Sequence, residues 1–473
     1  MDLFQTKPLD RILAESESQN ALKRSLGAGA LVALGVGAVI GAGIFTLTGV
    51  AAATNSGPGL VISFVVAAIG CSLAGLCYSE FATMIPVAGS AYTYAYASFG
   101  ELWAWIIGWD LILEYAVGAA TVAIGWSQTL VVLVGSLGLR FPNAIAASPF
   151  QGPMGGGVIN LPAVAVVVAV SLVLIRGIRE SATVNSIIVV LKVTVILVFI
   201  AIGWSYMVPA NHTPLIPPNE GEFGRFGWSG ILAGAGVMFF AYIGFDAVST
   251  AAQEARNPRR DLPIGIFGSL AVCTLLFILY SWVLTGVVNY RDLGVAAPLA
   301  LALNKIPYPW LNVAMNIAVL AGLTSVMLVM LLGQSRVFYS MARDGLLPPV
   351  FAEVHPKFRT PWRSNLLLMV FVSLFAALAP IGVVGKMTSI GTMFAFVIVC
   401  GGVIVLRRRN PDTPRPFQTP WVPVVPVLGI LTNIALMLGL GASNWARLFA
   451  WLAIGLVIYF GRRRRAKKSR SSV

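Results

Sequence analysis

The fold is decided first by residues 27–49, which read GAGALVALGVGAVIGAGIFTLTG. The stretch is apolar and long enough to cross a bilayer, since about 20 helical residues span roughly 30 Å of hydrocarbon. It also holds seven glycines, and each costs about 1 kcal/mol relative to alanine inside a helix. A broken helix is tolerated at membrane depth only where the break lines a cavity or is buried in protein. We therefore expect a discontinuous first span with a binding site at the break.

Two other interpretations of these glycines compete with a binding site. Gly37 and Gly41 have the spacing of a GxxxG motif, which lets two membrane helices pack closely, and that alternative stays open. A nucleotide-binding fingerprint is excluded, because the glycine spacing is wrong and the next acidic residue is Glu80.

The composition is that of an integral membrane protein. Of the 473 residues 58% are hydrophobic and 11% are charged, and the mean hydropathy is +0.84. The loops 208–228 and 341–364 are too short to form a soluble domain. Twelve spans are predicted, which places both termini on one side; they are 28–53, 58–84, 101–136, 161–177, 183–207, 229–254, 263–288, 312–340, 365–380, 388–406, 421–440 and 445–461.

The distribution of lysine and arginine indicates that this side is the cytoplasm. The two tails and the loops on their side carry most of these residues. The net charge of +14 therefore indicates topology and not a nucleic-acid partner, and the basic tail after 462 is expected to rest on anionic lipid headgroups. Charges near the cytosolic ends of spans, at Glu80, Glu254, Arg256 and Arg336, are expected to be solvated or to act as anchors, and a cytoplasmic gate is the alternative. The opposite loops carry only Arg140, Arg225, Arg291, Lys305, Lys386 and Arg447.

Other features exclude further classes. Only two histidines occur, both in predicted loops, so no metal site and no cofactor are expected. The polar N-terminus is not a secretory signal. The sequon at Asn211 has little weight, because such triplets are frequent by chance. The four cysteines, which fall inside apolar spans, are interpreted as small hydrophobic residues; they are Cys71, Cys77, Cys273 and Cys400.

The sixth span resembles the first in being interrupted. Gly244 and Asp246 lie in an aromatic stretch near its middle. Interruptions in corresponding spans, the first and the sixth, are typical of transporters built from two repeats. Repeats of five spans must be inverted, because five is odd. We predict repeats at 27–207 and 229–406, two added helices in 421–461, and cytosolic tails at 1–26 and 462–473.

Five sequence blocks resemble the amino acid-polyamine-organocation superfamily, and most closely its cationic amino acid transporter family, over about residues 27–460. The resemblance implies an all-α, LeuT-like membrane fold of twelve helices, with discontinuous helices 1 and 6. One departure is Ala42, where many relatives carry a hydroxyl residue, so a side-chain contact to the substrate is lost there. The blocks are GVGAVIGAGIF (35–45), PVAGSAYTY (86–94), GWDLILEY (108–115), EARNPRRDLP (254–263) and RDGLLP (343–348).

Broken helices can bind both charged ends of an amino acid. The resumed half of the first span offers unpaired N–H groups at Ala42, Gly43 and Ile44 for the carboxylate. The resemblance implies that freed carbonyls bind the ammonium. These belong to Val39, beside Ile40 in the first break, and to Phe240, Ala241 and Ile243 in the sixth span.

Three ionisable residues are candidates for coupling or specificity. Lys192 is the only charge in the apolar run 184–200, and a charge at such depth is costly and usually functional. The resemblance implies that its ammonium bonds to the first helix and gains and loses a proton in each cycle; the alternative is a permanently charged strut. Glu114 is either a proton carrier, a partner for a cationic substrate, or a neutral carboxyl bonded between helices. Asp246 is expected to cap the resumed half-helix and also to reach the pocket.

The function predicted from these features is import of amino acids with protons, through alternating access, by a monomer in the cell membrane. Cationic and small neutral amino acids such as alanine remain alternative substrates. An exchanger or a polyamine transporter is the alternative within this class. An ion channel would need a continuous pore, and an enzyme would need a catalytic motif that no span contains.

Overall fold

A computed structural model describes residues 3–10, 12, 26–86, 90–150, 156–177, 182–295 and 297–471. The predicted block 86–94 therefore lies partly outside the described residues, as does most of the N-terminal tail. Where the chain is described it is helical, without strands, and its only bridges are the isolated pairs Leu26 with Ala255 and Ala146 with Asn160.

Twelve long helices can be numbered among the described residues. Eight helical stretches are long and apolar enough to cross a bilayer, and four shorter apolar helices accompany them. The twelve are α1 (Ala28–Val39), α2 (Leu60–Met84), α3 (Glu101–Ser136), α4 (Leu161–Arg176), α5 (Ala182–Gly203), α6 (Gly227–Met238), α7 (Pro258–Val287), α8 (Pro309–Arg343), α9 (Trp362–Leu378), α10 (Ile381–Arg409), α11 (Val424–Gly439) and α12 (Ala442–Ser471).

Short helical pieces connect or continue these twelve. After a break, the first span continues through residues 43–56, as a π-helical turn, an α-helical turn and a second π-helical turn, and a 3₁₀ turn leads into α2. Separate short helices are Ser90–Phe99, Asn143–Ala146, Ala247–Thr250 and Pro298–Leu303. Further 3₁₀ turns are Trp204–Tyr206, Pro209–His212, Phe239–Tyr242, Ala252–Glu254, Tyr290–Leu293 and Pro349–Ala352.

Two predicted boundaries are wrong. Helix α10 starts seven residues before the predicted span at 388, and α12 continues ten residues beyond 461. Lys386 therefore lies inside α10 and not in a loop. Arg447, counted with the loops although the predicted span 445–461 contains it, lies inside α12, which starts at Ala442 and includes most of the predicted tail. A lysine or arginine near a helix end can bury its methylene stem while its charge reaches water, so a basic residue does not mark a boundary.

Glu80, near the end of α2, is not solvated as predicted. It is 2% exposed. Arg407 binds it with two hydrogen bonds, from Nε at 2.9 Å and Nη2 at 2.7 Å, and the backbone N–H of Thr419 donates a third at 2.8 Å. The carboxylate is satisfied by fixed donors, so the network joins α2 to α10 and to the loop before α11.

The helices that surround the first break are in direct contact. Helix α1 packs against α7 and α5, and α3 packs against α8. Helix α5 also contacts α8. The first span is therefore enclosed by protein, as a broken membrane helix requires.

Candidate functional site

The first span is interrupted between α1 and residues 43–56. Helix α1 ends at Val39, and Ile40 is extended, with φ −72° and ψ 101°, while its N–H still donates to Val36 O at 3.0 Å. The first hydrogen bond of the resumed helix runs from Phe45 N–H to Gly41 O at 3.3 Å. The N–H groups of residues 41–44 therefore precede the first helical bond and lie at a helix start, where the dipole favours negative charge.

This break separates Gly37 from Gly41. Gly37 belongs to α1, whereas Gly41 lies after the helix has ended. The two glycines do not share a continuous helical face, so the GxxxG alternative is wrong.

The sixth span is interrupted after α6. The helix tightens into the 3₁₀ turn Phe239–Tyr242, and Ile243 is extended at φ −58° and ψ 131°. Gly244 then has φ +118°, a conformation that favours glycine, and helix resumes only at Ala247–Thr250. This break releases backbone groups in the interior of the protein.

The two breaks lie against each other. A Cβ added to Gly43 would lie 2.3 Å from Ala241 Cα, and one added to Gly244 would lie 2.9 Å from the carbonyl carbon of Ala38. Glycine at these two positions lets the broken segments approach closely. The predicted binding residues of both spans are thereby brought together, and all are buried: Val39, Ile40, Ala42, Gly43, Ile44, Phe240, Ala241, Ile243 and Asp246.

Lys192 on α5 reaches the end of α1. Its Nζ donates a hydrogen bond of 2.7 Å to Gly37 O, one of the last carbonyls of that helix, and its side chain is 1% exposed. Gly322 of α8 makes room for it, since a Cβ there would lie 3.0 Å from Lys192 Cε. The lysine side chain thus lies between α1 and α8 and touches the first break directly.

Asp246 is held by α3 and does not cap the short helix that follows it. Its Oδ2 accepts a hydrogen bond of 2.6 Å from the hydroxyl of Tyr115, and it makes no side-chain capping bond. The predicted capping role is therefore wrong. Tyr115 lies in a π-helical turn of α3, Leu113–Val117, and its hydroxyl draws the carboxylate away from the helix start.

Glu114 lies in the same π-helical turn and faces the sixth span. It is 1% exposed and interacts electrostatically with Asp246 and Asp110. Its carboxyl group lies beside Asp246 and Thr392, and the buried hydroxyl of Tyr78 is close to both Glu114 and Asp246. Glu114 thus lies beside Asp246 in the sixth span, whereas Lys192 bonds to the last turn of α1 in the first.

Apolar side chains from α8 border the glycines of the site. A Cβ on Gly41 would lie 3.2 Å from Val326 Cγ2, and one on Gly118 would lie 3.3 Å from Met330 Sδ. Ala42 faces Gly125 of α3, whose added Cβ would lie 3.5 Å from the Ala42 Cβ. These walls offer aliphatic and thioether surface next to the backbone groups of the break.

Sequence reasoning assigned no role to three of these residues. Tyr115 follows Glu114 inside a family-like block, so its position was visible, but its partner lies 131 residues away. Gly322 and Tyr78 carry no local signal, because their importance comes from helices that are distant in the chain. No three or more His, Cys, Asp or Glu residues come together as a metal site in the part of the chain that is described.

A family model described as amino acid permease matches residues 26–460. The branched-chain amino acid permease BcaP of Bacillus subtilis (strain 168) is 45% identical over 459 residues, which cover 97% of this chain and 97% of the relative. The methylthioribose transporter of the same organism is 41% identical over 458 residues, again 97% of each chain. Cationic amino acid transporter 4 of Homo sapiens is 33% identical over 417 residues, 88% of this chain and 64% of the relative.

Proposed function

Because the chain belongs to the amino acid permease family, within the amino acid-polyamine-organocation superfamily, we propose that it is a secondary active transporter that imports amino acids together with protons. The site is the junction of the two broken spans. The N–H groups of Ala42, Gly43 and Ile44 bind the carboxylate of the substrate, and carbonyls of Val39, Phe240, Ala241 and Ile243 bind its ammonium. Ile40 shapes the break between these groups.

The observation that carries this proposal is the pair of breaks in direct contact. A buried zwitterion needs donors for its carboxylate and acceptors for its ammonium. The start of the resumed first span supplies donors at the positive end of a helix dipole, and the ends of α1 and α6 supply carbonyls. Main-chain groups bind the carboxylate and the ammonium, which all amino acids share. The preference for one substrate side chain over another is therefore determined by the residues that line the site.

Proton coupling is assigned to Lys192 and Glu114. When protonated, Lys192 holds Gly37 O at 2.7 Å and so fixes the end of α1. When deprotonated, its amine is neutral and the charge-assisted part of that bond is lost, so α1 is free to move. Glu114 is positioned to pass a proton toward Asp246, which lies beside it.

The substrate we propose is an amino acid with a short aliphatic side chain. Val326 and Met330 border the site with apolar atoms, and the relative with 45% identity carries branched-chain amino acids in its name. A cationic substrate is the second candidate, because the buried carboxyls of Asp246 and Glu114 are adjacent to the site and the human relative is named a cationic amino acid transporter.

Two inverted five-helix repeats, 27–207 and 229–406, are the proposed architecture, with 421–461 as an added pair of helices. Transport by alternating access then consists of one bundle of helices rocking around the fixed site. The protein is proposed to act as a monomer in the cell membrane, with both termini in the cytoplasm and its basic end against anionic headgroups.

The test is uptake by the purified protein in proteoliposomes. An inside-alkaline gradient is imposed, and valine, leucine, alanine, arginine, lysine and a polyamine compete for entry with a labelled substrate. We expect concentrative uptake that depends on the gradient and strongest competition by aliphatic amino acids. If the protein exchanges amino acids across the membrane but does not accumulate them in response to the gradient, it is an exchanger and not a symporter. Competition by arginine and lysine alone would favour the cationic substrate, and by the polyamine alone a polyamine carrier.

A further inference from the structure

The N-terminal segment, of which the structure describes residues 3–10 and 12, lies against the start of α3. The N–H of Leu102, in the first turn of that helix, donates a hydrogen bond of 3.0 Å to Leu3 O. A Cβ added to Gly100, just before the helix, would lie 2.5 Å from the carbonyl carbon of Phe4, so the two backbones are in direct contact. The N-terminal segment is therefore docked on the protein through its main chain.

Asp344 connects the same segment to the end of α8. It directly follows Arg343, the last residue of that helix. Its Oδ1 accepts a hydrogen bond of 2.8 Å from Lys7 Nζ, and its Oδ2 accepts another of 2.8 Å from the hydroxyl of Tyr92 in the short helix Ser90–Phe99. The side chains of Lys7 and Asp344 are 12% and 17% exposed, so solvent screens this pair less than a fully exposed one. One carboxylate thus joins the N-terminal segment, α8 and the short helix that leads into α3.

The two helices that are joined in this way contact both breaks. Helix α3 carries Tyr115, whose hydroxyl donates to Asp246 of the sixth span at 2.6 Å. Helix α8 carries Val326, which lies against Gly41 of the first break. The N-terminal segment therefore holds together the ends of two helices whose middle parts border the candidate site.

The chain that follows this segment is attached to the broken spans. Ile12 is 3% exposed, and fourteen residues later Leu26 pairs with the backbone that follows the sixth span. The N–H of Leu26 donates to Glu254 O at 2.9 Å, and the N–H of Arg256 donates to Leu26 O at 2.8 Å. Helix α1 begins two residues after Leu26. The N-terminal part of the chain is thus fixed to α3 and α8 at its beginning and to both broken spans at its end.

We propose that the N-terminal segment is a latch, which restrains the broken spans relative to α3 and α8 and is released when the site opens toward the side of the termini. This rests on the proposed function, because alternating access requires one group of helices to move against the other. While the latch is docked, the chain between it and α1 limits that movement. The Lys7–Asp344 pair is partly exposed, so it can open with both charges in water and not in hydrocarbon.

The experiment measures hydrogen exchange in the full chain in nanodiscs, without substrate. Segments 3–12 and 96–102 report docking of the latch, and segments 40–48 and 243–248 report opening at the two breaks. Local exchange becomes faster as the population of the opened form increases. Lys7→Gln should raise the exchange rate about fivefold in all four segments, which corresponds to roughly 1 kcal/mol for the lost ion pair.

Controls distinguish release of the latch from a general change of charge or stability. Asp344→Asn removes the other charge of the pair and should reproduce the increase, whereas Lys7→Arg keeps the cation and should leave the exchange rates unchanged. Glu353→Gln breaks the pair of Glu353 with Arg363, which joins the loop after α8 to α9, and should also leave them unchanged. Exchange within α10 should be the same in every variant if the fold as a whole keeps its stability.

Three results would overturn the proposal. The first is faster exchange in segments 3–12 and 96–102 with unchanged exchange at both breaks, since the segment would then be docked without restraining the site. The second is unchanged exchange everywhere for both Lys7→Gln and Asp344→Asn, and the third is an equal increase for Glu353→Gln. The measurement requires no transport, so a lack of amino acid uptake in proteoliposomes would contradict the proposed function and leave the exchange result intact.

Discussion

Replacing Gly43 with alanine tests whether the contact between the two breaks is required for transport. The new methyl group would lie 2.3 Å from Ala241 Cα, whereas an ordinary contact begins at 3.4 Å. The obstacle is backbone, so the broken segments must separate by about 1 Å. Overpacking of this kind costs about 1–3 kcal/mol. If that cost falls on the substrate-bound state, the rate of uptake at limiting substrate should fall about 5- to 150-fold.

The assay is initial uptake of labelled amino acid into proteoliposomes, and Gly41→Ala is the matched control. Its methyl group would lie 3.2 Å from Val326 Cγ2, the end of a side chain, so its loss should be smaller and should be rescued by Val326→Ala. Ala241→Gly should not rescue Gly43→Ala, because the Cα atom that blocks the methyl group remains. Normal uptake by Gly43→Ala, or its rescue by Ala241→Gly, would refute this reasoning.

Three further predictions concern charged groups. Lys192→Met removes the hydrogen-bond donor to α1, so gradient-driven accumulation should be lost while exchange at equal pH persists. Counterflow and concentrative uptake are measured on the same liposomes. Intact accumulation by the variant would contradict the prediction. Tyr115→Phe removes the hydrogen bond to Asp246, which as a bond to a charged group contributes about 1.5–3 kcal/mol; uptake at limiting substrate should fall at least tenfold, and an unchanged rate would disconnect this pair from the site. Glu80→Gln removes the charge of a carboxylate whose side chain is 3% exposed and which accepts hydrogen bonds from Arg407, and bonds to such a charged group contribute about 1.5–3 kcal/mol. Glu353→Gln breaks an exposed pair that contributes under about 1 kcal/mol. Thermal melting in detergent should show a clear decrease for the first variant only, and equal decreases would argue against burial as the cause.

The positions of the helices follow from local sequence wherever a strong boundary is present. The third span was predicted at 101–136, and α3 occupies Glu101–Ser136. Gly100 before it and Gly138 after it both have positive φ, at 98° and 83°, so glycine marks both ends. The start of α10 has no such glycine and follows Pro380 instead, and Lys386 was counted as a loop residue. The predicted start of α10 was too late because Lys386 was taken to mark a loop. A half-buried lysine is in fact compatible with the end of a membrane helix near the headgroups.

Side-chain partners were less predictable than backbone breaks. Glycines reveal a break through their helix propensity, which is a property of the local sequence. The orientation of the Asp246 side chain depends on its hydrogen bond with the hydroxyl of Tyr115, which belongs to a helix far away in the chain. An aspartate before a short helix is a common cap, but here a hydrogen bond from α3 takes its carboxylate. Local preference could not decide between these two bonds, because the competing donor is set by tertiary packing.

The two breaks also depend on each other in a reciprocal way. Gly43 of the first span makes room for the backbone of Ala241 in the sixth, and Gly244 of the sixth makes room for the backbone of Ala38 in the first. Each span thus contributes one glycine and one backbone surface to the same junction. A side chain at either glycine would push apart the groups that both breaks release, so one break alone would leave its backbone groups facing apolar side chains at a cost of several kcal/mol. The paired interruptions are therefore a single structural unit, and a substitution in either break should also displace the backbone groups of the other.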